Sequence, residues 1–520
     1  MKDGAEYDNL YAAATCRERA DWDCGISATR LFSVLYGTPL NVGRVQSPTL
    51  ALLCERDNAI SNFVKEKYFN VHLNDMGLLT QIKSQSQAER IKSDCDGNVA
   101  TVTEIKRTKH SMSAPKLYDL TTLQRHANRL YGFTAAETLE YAQSLYEKSL
   151  LSYPRSDSRY LTADMRDSVL KIIGEVDFVP NLDRIVGVIS DHHAIIPTIE
   201  SVNTDIQTLP SGERTVFELV RNRLTAAVAP SHEYEAITAT IECSGYSFIS
   251  KSKTIINDGW KAIERGDKDD DSPKITLSLT ENQQITADCR ISEQWTKPPP
   301  AHTEDSLLAA MEAVETAPDA ERRGIGSPAT RSIIIERAIK AGLVQRQKKN
   351  LVPTEKGKNL IKVLPESLTS AKLTANWEHR LKLVERGELS ERDFMGGIEA
   401  FIKSVVEENN APKPEFASLF GVVKNAKPSL GDCLRCGKSV REDVKGFFCD
   451  NRDCGFKLWK ASKFWTAKKK PLTAAIVTAL LKDGKVALKG LYSEKTGKTY
   501  SAVVTLDDSG GDFINYKLKF

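Results

Sequence analysis

The sequence predicts a multidomain α+β chain, because two hydrophobic periods alternate along it in long blocks. Helical spacing dominates 15–62, 113–230 and 298–408, whereas strand-like alternation occupies 66–107 and 233–290. The strand-like segments flank the middle helical block, so that block reads as an insertion into a sheet whose halves are discontinuous in sequence. Four clustered cysteines near the C-terminus mark a further small module. The 520 residues suffice for roughly three to five domains.

The first helical block closes with "SPTLALLCERDNAISNFV", where Ser47 is placed to cap and Pro48 suits the first helical turn. "KYFNVHLN" and "NVATVTEIKRT" then alternate as strands do. In the middle block, "TAAETLEYAQSLYEKSLL" opens on a Thr134-x-x-Glu137 capping box and puts Leu139, Ala142, Tyr146 and Leu150 on one face. Strands return at "YEAITATIEC", "SFISKSKT" and "KITLSLTENQQITAD", interrupted by "ERGDKDDDSP", an acidic run that reads as a solvated loop. "TKPPPAHTEDSLLAAMEAV" starts the last helical block, and "SPATRSIIIERAIKAGLVQRQKKNLVPTEKG" reads as helix, turn and a two-stranded wing. The implied divisions are 1–62, 63–109, 110–232, 233–297 and 298–410, a linker at 411–429, a cysteine module at 430–462 and a basic strand-rich module at 463–520.

Charge is unevenly spread. The chain carries a net +3, but residues 421–520 hold 20 Lys+Arg against 10 Asp+Glu, a surplus of +10 that leaves −7 on the other 420 residues. A basic tail with interleaved Phe447, Phe448, Phe456, Trp459, Phe464 and Trp465 points to nucleic acid as partner. No apolar run approaches the roughly 20 residues of a membrane span, and the N-terminus lacks a signal-peptide core, so the chain reads as cytoplasmic. Six cysteines (16, 24, 54, 95, 243 and 289) are scattered and read as buried thiols.

The pattern Cys433-x2-Cys436-x12-Cys449-x4-Cys454 offers two thiolate pairs for one tetrahedral Zn(II). Four thiolates leave no open position, so such a site is structural and folds a module too small to hold itself together. "LLSYPRSDSRYLT" raises a different chemistry. The residue before a proline is driven out of the helical region, so Tyr153 leaves its helix extended, with Arg155 on the same side of the segment. A phenol needs a cation or base to act as a nucleophile; Arg155 suits a phosphate and "SDHHAIIPT" offers imidazoles. "VGRVQSPT" adds Arg44, Gln46 and Ser47 beside a helix N-terminus, where backbone N–H groups favour phosphate.

In order along the chain, "RERADWDCGISATRLF", "VGRVQSPTLALLCERD", "LYDLTTLQRHANRLYGFTAAETLEYAQSLYE", "SYPRSDSRYLT", "DHHAIIPT", "HTEDSLLAAME", "GIGSPATRSIIIERAI" and "LVPTEKG" resemble the core of type IA DNA topoisomerases, closest to the bacterial topoisomerase III branch. The resemblance spans roughly residues 15–410, and the zinc ribbon with its basic module is similar to the family's C-terminal DNA-binding region. It implies a toroid of helical gate and base domains joined by strand-rich arches. It further implies that Tyr153 attacks one strand to form a 5′-phosphotyrosine, with Arg155 on the scissile phosphate and His192 positioning or protonating beside it. Arg44, Gln46, Ser47, Ser327, Thr330 and Arg331 would line the DNA groove. The expected substrates are single-stranded, negatively supercoiled or catenated DNA, handled by a monomer at the nucleoid.

The family's Toprim domain, which carries a glutamate and a D-x-D pair for Mg(II), has no counterpart in this sequence. "SDCD" (93–96) and "DKDDD" (267–271) match by letter but follow no buried βα strand. The expectation is therefore a chain that needs Toprim from elsewhere, including a separate Toprim-bearing chain, with Mg(II) required only in that company. Two competing readings are a single-stranded DNA-binding remnant and a tyrosine relaxase. The relaxase needs a His-hydrophobe-His cluster, and "DHH" sets its histidines adjacent.

Overall fold

The computed structural model describes residues 4–189, 192–264, 279–314, 324–370, 372–416, 419–420, 428–508 and 514–520. The acidic run after Glu264 lies outside them. The chain divides into two compact units, Met1–Ser33 with Pro39–Ala411, and Val34–Thr38 with Pro412–Phe520.

The larger unit begins with helices α1 (Asp8–Leu35) and α2 (Gln46–Ser61). Helix α2 starts on Gln46 with Val45 as its cap residue, so Ser47 and Pro48 stand inside the first turn rather than at its edge. Strands β1 (Lys67–Leu73) and β2 (Gly77–Ile82) follow, then helix α3 (Gln85–Cys95) and strand β3 (Val99–Met112). Helix α3 is absent from the alternation-based expectation. Its apolar side is thin, only Ala88, Ile91 and Cys95, but Ser84 caps it by accepting from the Gln87 N–H at 3.2 Å.

Next come α4 (Leu120–Tyr131), α5 (Ala135–Glu147), α6 (Arg166–Ile173) and α7 (Ser211–Val228). The α5 capping box forms: Thr134 Oγ1 accepts from the Glu137 N–H, and Glu137 accepts from the Thr134 N–H at 2.8 Å. Its buried face is Ala135, Thr138, Ala142 and Leu145; Tyr146 stands exposed, and Leu150 lies past the helix end. Beyond Lys148 the chain reverses through Ser149 at φ +60°, a cost met by local bonds that tie Ser149 to Tyr146 and Leu150 to Leu145.

Strands β4 (His232–Cys243), β5 (Tyr246–Asn257), β6 (Gln284–Thr286) and β7 (Cys289–Trp295) complete one seven-stranded sheet, ordered β6-β3-β4-β5-β2-β1-β7. Strands from both sides of the helical block therefore pair directly, β3 along β4 and β1 along β7. Phe69, Val71, Leu73, Ala239, Ile241 and Phe248 form its core, with α3 packed on it.

The last part of this unit holds α8 (Glu304–Ala313), α9 (Pro328–Lys340), the hairpin β8 (Val344–Gln347) and β9 (Asn350–Pro353), and helices α10 (Glu355–Val363), α11 (Glu366–Thr369), α12 (Lys372–Glu385) and α13 (Glu391–Glu408). The smaller unit pairs β10 (Gly431–Asp432), β11 (Ser439–Glu442), β12 (Gly446–Cys449) and β13 (Lys457–Trp459) in one sheet. After α14 (Lys463–Ala467) and α15 (Ala474–Asp483), strands β14 (Lys485–Tyr492), β15 (Thr499–Asp507) and β16 (Asn515–Lys519) form another. One core joins both sheets through Phe447, Leu458, Trp465, Val477, Leu480 and Val504, so the cysteine and basic segments fold together.

Candidate active site, DNA groove and metal centre

Residues 150–153 and 194–198 run antiparallel. Leu151 bridges Pro197, the Ser152 N–H donates to the Ile196 carbonyl at 2.9 Å, and the Ser152 hydroxyl donates to the Ala194 carbonyl at 3.1 Å. This short ladder carries His192 onto Tyr153, with ring centroids 4.4 Å apart and planes tilted by 44°. Tyr146 of α5 meets Tyr153 edge-on at 5.7 Å. The Ser156 hydroxyl donates to the His192 carbonyl at 3.3 Å, tying the two loops again. Tyr153 is thus half-buried, held on two sides by aromatic rings.

Arg155 and Tyr153 both meet α5, at Gln143 and Tyr146 respectively. Pro154 and Arg155 form a turn, and the exposed guanidinium donates to Gln143 Oε1 at 2.9 Å. It closes one end of a groove of about 490 Å³ between Leu139 of α5 and Ile333 and Glu336 of α9.

A second groove, about 380 Å³, gathers Arg44, Gln46, Ser327 and Thr330 with Arg17 and Arg337. Two helix N-termini open into it: Gln46 is the first residue of α2 and Ser327 caps α9. Ser327 and Thr330 spend their hydroxyls on that cap, the Ser327 N–H donating to Thr330 Oγ1 at 3.0 Å. Arg44 is buried, paired with Asp21 at 2.6 Å and Glu378 at 3.1 Å, and lies over the Trp377 ring. The Gln46 amide nitrogen is buried with no partner among the described residues. Ser47 is not on this wall: it is 1% exposed, and its hydroxyl accepts from the Gly43 N–H at 3.2 Å.

Arg331 is 2% exposed and acts as a strut between blocks. It donates to Thr121 Oγ1 of α4 at 2.9 Å and to the Ile325 carbonyl at 3.2 Å, with Glu312 at 3.4 Å. It reaches the floor of a larger cleft, about 820 Å³, lined also by Lys116, Asp119, Arg159 and Glu312.

Sequence reasoning missed how the helical block is fastened. Glu304, nearly fully buried, accepts from the Ala135 N–H at the start of α5 at 2.6 Å and from Arg346 of the hairpin at 2.6 Å. Arg125 pairs with Asp305 at 2.9 Å alongside. The signal was present in "HTEDS", where Thr303 and Ser306 form a capping box that fixes both acids in the first turn of α8. Equally unforeseen is a buried Tyr118–His126–Arg223–Glu264 network, in which the Tyr118 hydroxyl and Arg223 both face His126 Nδ1. Burial, then the Arg223 and Arg129 charges, push the His126 pKa down to about 3, so the ring is neutral.

In the smaller unit the sulfur atoms of Cys433, Cys436, Cys449 and Cys454 all lie within 4.8 Å of one another. Cys433–Cys454 and Cys436–Cys449 are separated by 3.6 and 3.4 Å. Tetrahedral Zn(II) at about 2.3 Å from each sulfur requires sulfur–sulfur distances near ~3.8 Å, so the four thiols fit it. The Arg435 and Asn451 N–H groups donate to Cys433 and Cys449 at 3.4 Å each, as sulfur knuckles require. The Lys438 backbone N–H lowers the Cys436 thiol to about 7. Among the described residues these cysteines are the one group with metal-ligand geometry. Asp94 and Asp96 of "SDCD" are engaged otherwise: Asp94 accepts from the Tyr246 hydroxyl and Asp96 from the Cys289 N–H.

Comparison with known proteins bears on family and fold. A family model described as DNA topoisomerase matches residues 5–396. The chain belongs to the type IA DNA topoisomerase family. "DNA topoisomerase 3" of Bacillus cereus is 32% identical over 505 residues, covering 88% of this chain and 68% of that protein. The Bacillus subtilis protein of the same name is 32% identical over 513 residues, covering 89% and 69%. Full-length topoisomerase I from Thermotoga maritima shares the fold, with a TM-score of 0.65 over 86% of this chain and 75% of that one, at 24% identity. As a family member the chain is an isomerase by class and a DNA-binding protein. No helix among the described residues is long and apolar enough to cross a membrane.

Proposed function

We propose that Tyr153 is the nucleophile of a type IA strand-cleavage reaction. The observation that carries this reading is the ladder of 150–153 against 194–198, which packs His192 on the Tyr153 ring. The phenol oxygen forms a bond to the 5′ phosphorus, the bond from phosphorus to the 3′ oxygen breaks, and the phenol proton is lost as the 3′ oxygen gains one. Arg155, two residues on, exchanges Gln143 for the scissile phosphate and offsets charge that builds there. His192 orients the phenol. The groove of Arg44, Gln46, Ser327 and Thr330 receives the strand, its two helix N-termini favouring phosphates and the Gln46 amide left to bond a base or sugar.

In this reading the protein works as a monomer on single-stranded regions of supercoiled or catenated DNA, and Zn(II) on the four cysteines holds the smaller unit together. Resealing in such enzymes draws on Mg(II) held by Toprim carboxylates. Among the described residues the one group of three or more metal-ligating side chains is the four cysteines. The test is covalent trapping with a Toprim domain supplied. The wild-type chain should yield a protein–DNA adduct and Tyr153→Phe none, while both bind a single strand alike. An undiminished adduct in the Phe variant would remove Tyr153 from the role. Single-strand binding without any wild-type adduct would favour the non-cleaving DNA-binding reading.

A further inference from the structure

The middle of the large sheet extends as a three-stranded ribbon in which β3, β4 and β5 run well beyond the core. On this ribbon the two faces treat their charges differently. On one face, the row Lys109–Glu235–Thr254 brings an acid into line, and Arg107 pairs with Glu235 at 2.9 Å. The row Ser111–Glu233–Asn257 adds a second acid to the same side.

The opposite face reads Lys106–Thr238–Lys251, then Thr108–Ala236–Lys253, then His110–Tyr234–Ile255. Those three rows hold three lysines and no carboxylate. Their β3 and β5 members other than Lys253 are exposed. The His110 and Tyr234 rings stack at 5.1 Å with planes 19° apart, and the Lys253 ammonium lies 4.2 Å over the Tyr234 ring. Among the described residues β6 pairs with β3 only at Val99–Thr101, and His110 ends the ring stack on the β3 side. The His110 side chain is exposed at that end.

We propose that this ribbon face is a second binding surface for single-stranded DNA, separate from the groove of Arg44 and Gln46. Cations set at the two-residue spacing of a strand grip successive phosphates. The exposed end of the His110–Tyr234 stack accepts an unpaired base, which a duplex does not offer. The larger part of the chain carries a net −7. The next row on this face, Glu104–Thr240–Ile249, carries an acid, so the basic patch is confined to the three outer rows and is a local attraction for polyanion rather than a general one. The surface needs no contribution from Tyr153, so it stands or falls apart from the cleavage chemistry.

The experiment uses the full chain and a fluorescent poly(dT) strand, titrated across a salt series. Replacing Lys106 and Lys251 together by Ala removes up to two phosphate contacts. At about 0.7 in slope per single-strand contact, the dependence of log affinity on log salt should become shallower by about 1.4. Arg107→Ala with Lys109→Ala, on the opposite face, should leave that slope unchanged. An unchanged slope in the Lys106/Lys251 variant, or an equal loss from the opposite-face control, overturns the proposal. Bromodeoxyuridine cross-linking of the wild-type chain gives a second reading: adducts on His110 or Tyr234 support it, and their absence when other sites cross-link counts against it. Thermal melting confirms that each variant is folded.

Discussion

The four-cysteine centre and the tyrosine site both gather side chains that are distant in sequence, but different forces do the gathering. Cys433 and Cys436 lie 13 or more residues before Cys449 and Cys454, and their sulfurs converge in a segment whose small core is shared with the basic strands after it. A metal ion would supply most of the cohesion there. Tyr153 and His192 are instead brought together by a backbone ladder between two irregular loops, each anchored on the well-packed helices α4, α5 and α7. With a metal bound, the first site would be held by its ligand; the second is held by its scaffold. Damage to the first should therefore unfold a unit, whereas damage to the second should leave the fold and remove the chemistry.

The largest expected effect breaks the cysteine side of this contrast. Replacing Cys433 and Cys436 by Ser should abolish zinc binding, read by metal analysis, and melt the smaller unit. Structural Zn(II) contributes about 10–16 kcal/mol of binding free energy in small domains. The melting transition of the larger unit should persist. Zinc retained at one equivalent by the double variant would exclude the four-thiolate centre.

Next in size is the scaffold itself. Glu304→Ala strips the partner from Arg346 and from the α5 N-terminus at a buried position, a change that costs about 3–5 kcal/mol. Chemical denaturation should show the loss in the larger unit with the zinc content unaltered. A loss under ~1 kcal/mol would mean that water replaces the carboxylate without penalty.

The chemistry comes third. Arg155→Ala, with Toprim supplied, should slow strand cleavage by about 10²–10³ through a lost transition-state charge contact, while melting and single-strand affinity hold. If affinity fell as much as rate, Arg155 would be a binding residue only.

The smallest effect concerns His126. Its folded pKa is pushed down to about 3, against about 6.5 in an unfolded chain. The unfolded state therefore takes up the proton first, and stability is full above pH 6.5 and lost as pH falls toward 3. At pH 5 the loss amounts to about 2 kcal/mol. His126→Gln should flatten that slope, whatever it does to stability at neutral pH.

Much of this was legible in the sequence where local rules act alone. The capping boxes at Thr134 and Thr303, the hairpin after α9 and the sulfur spacing depend on residues a few positions apart. The ordered motifs also carried the family. What stayed hidden depends on contacts between distant residues. Arg331 and Ser47 sit in motifs that read as DNA-facing, yet the fold turns both inward, Arg331 onto Thr121 and Ser47 onto Gly43. Arg155 follows Tyr153 closely in sequence, but the Pro154 turn swings it to Gln143. Helix α3 has too few apolar residues to announce itself, and its stability comes from packing on the sheet.

The most direct measurement is the identity of the residue that carries DNA. With a Toprim domain supplied, the wild-type chain is trapped on a labelled strand and digested, and the peptide retaining a nucleotide is sequenced by mass spectrometry. The nucleotide should be found on Tyr153, joined through a 5′ phosphate, in the peptide containing "SYPRS". A nucleotide on Tyr146, Tyr160 or any other side chain would contradict the assignment of the nucleophile and, with it, the role given to the 150–153 ladder.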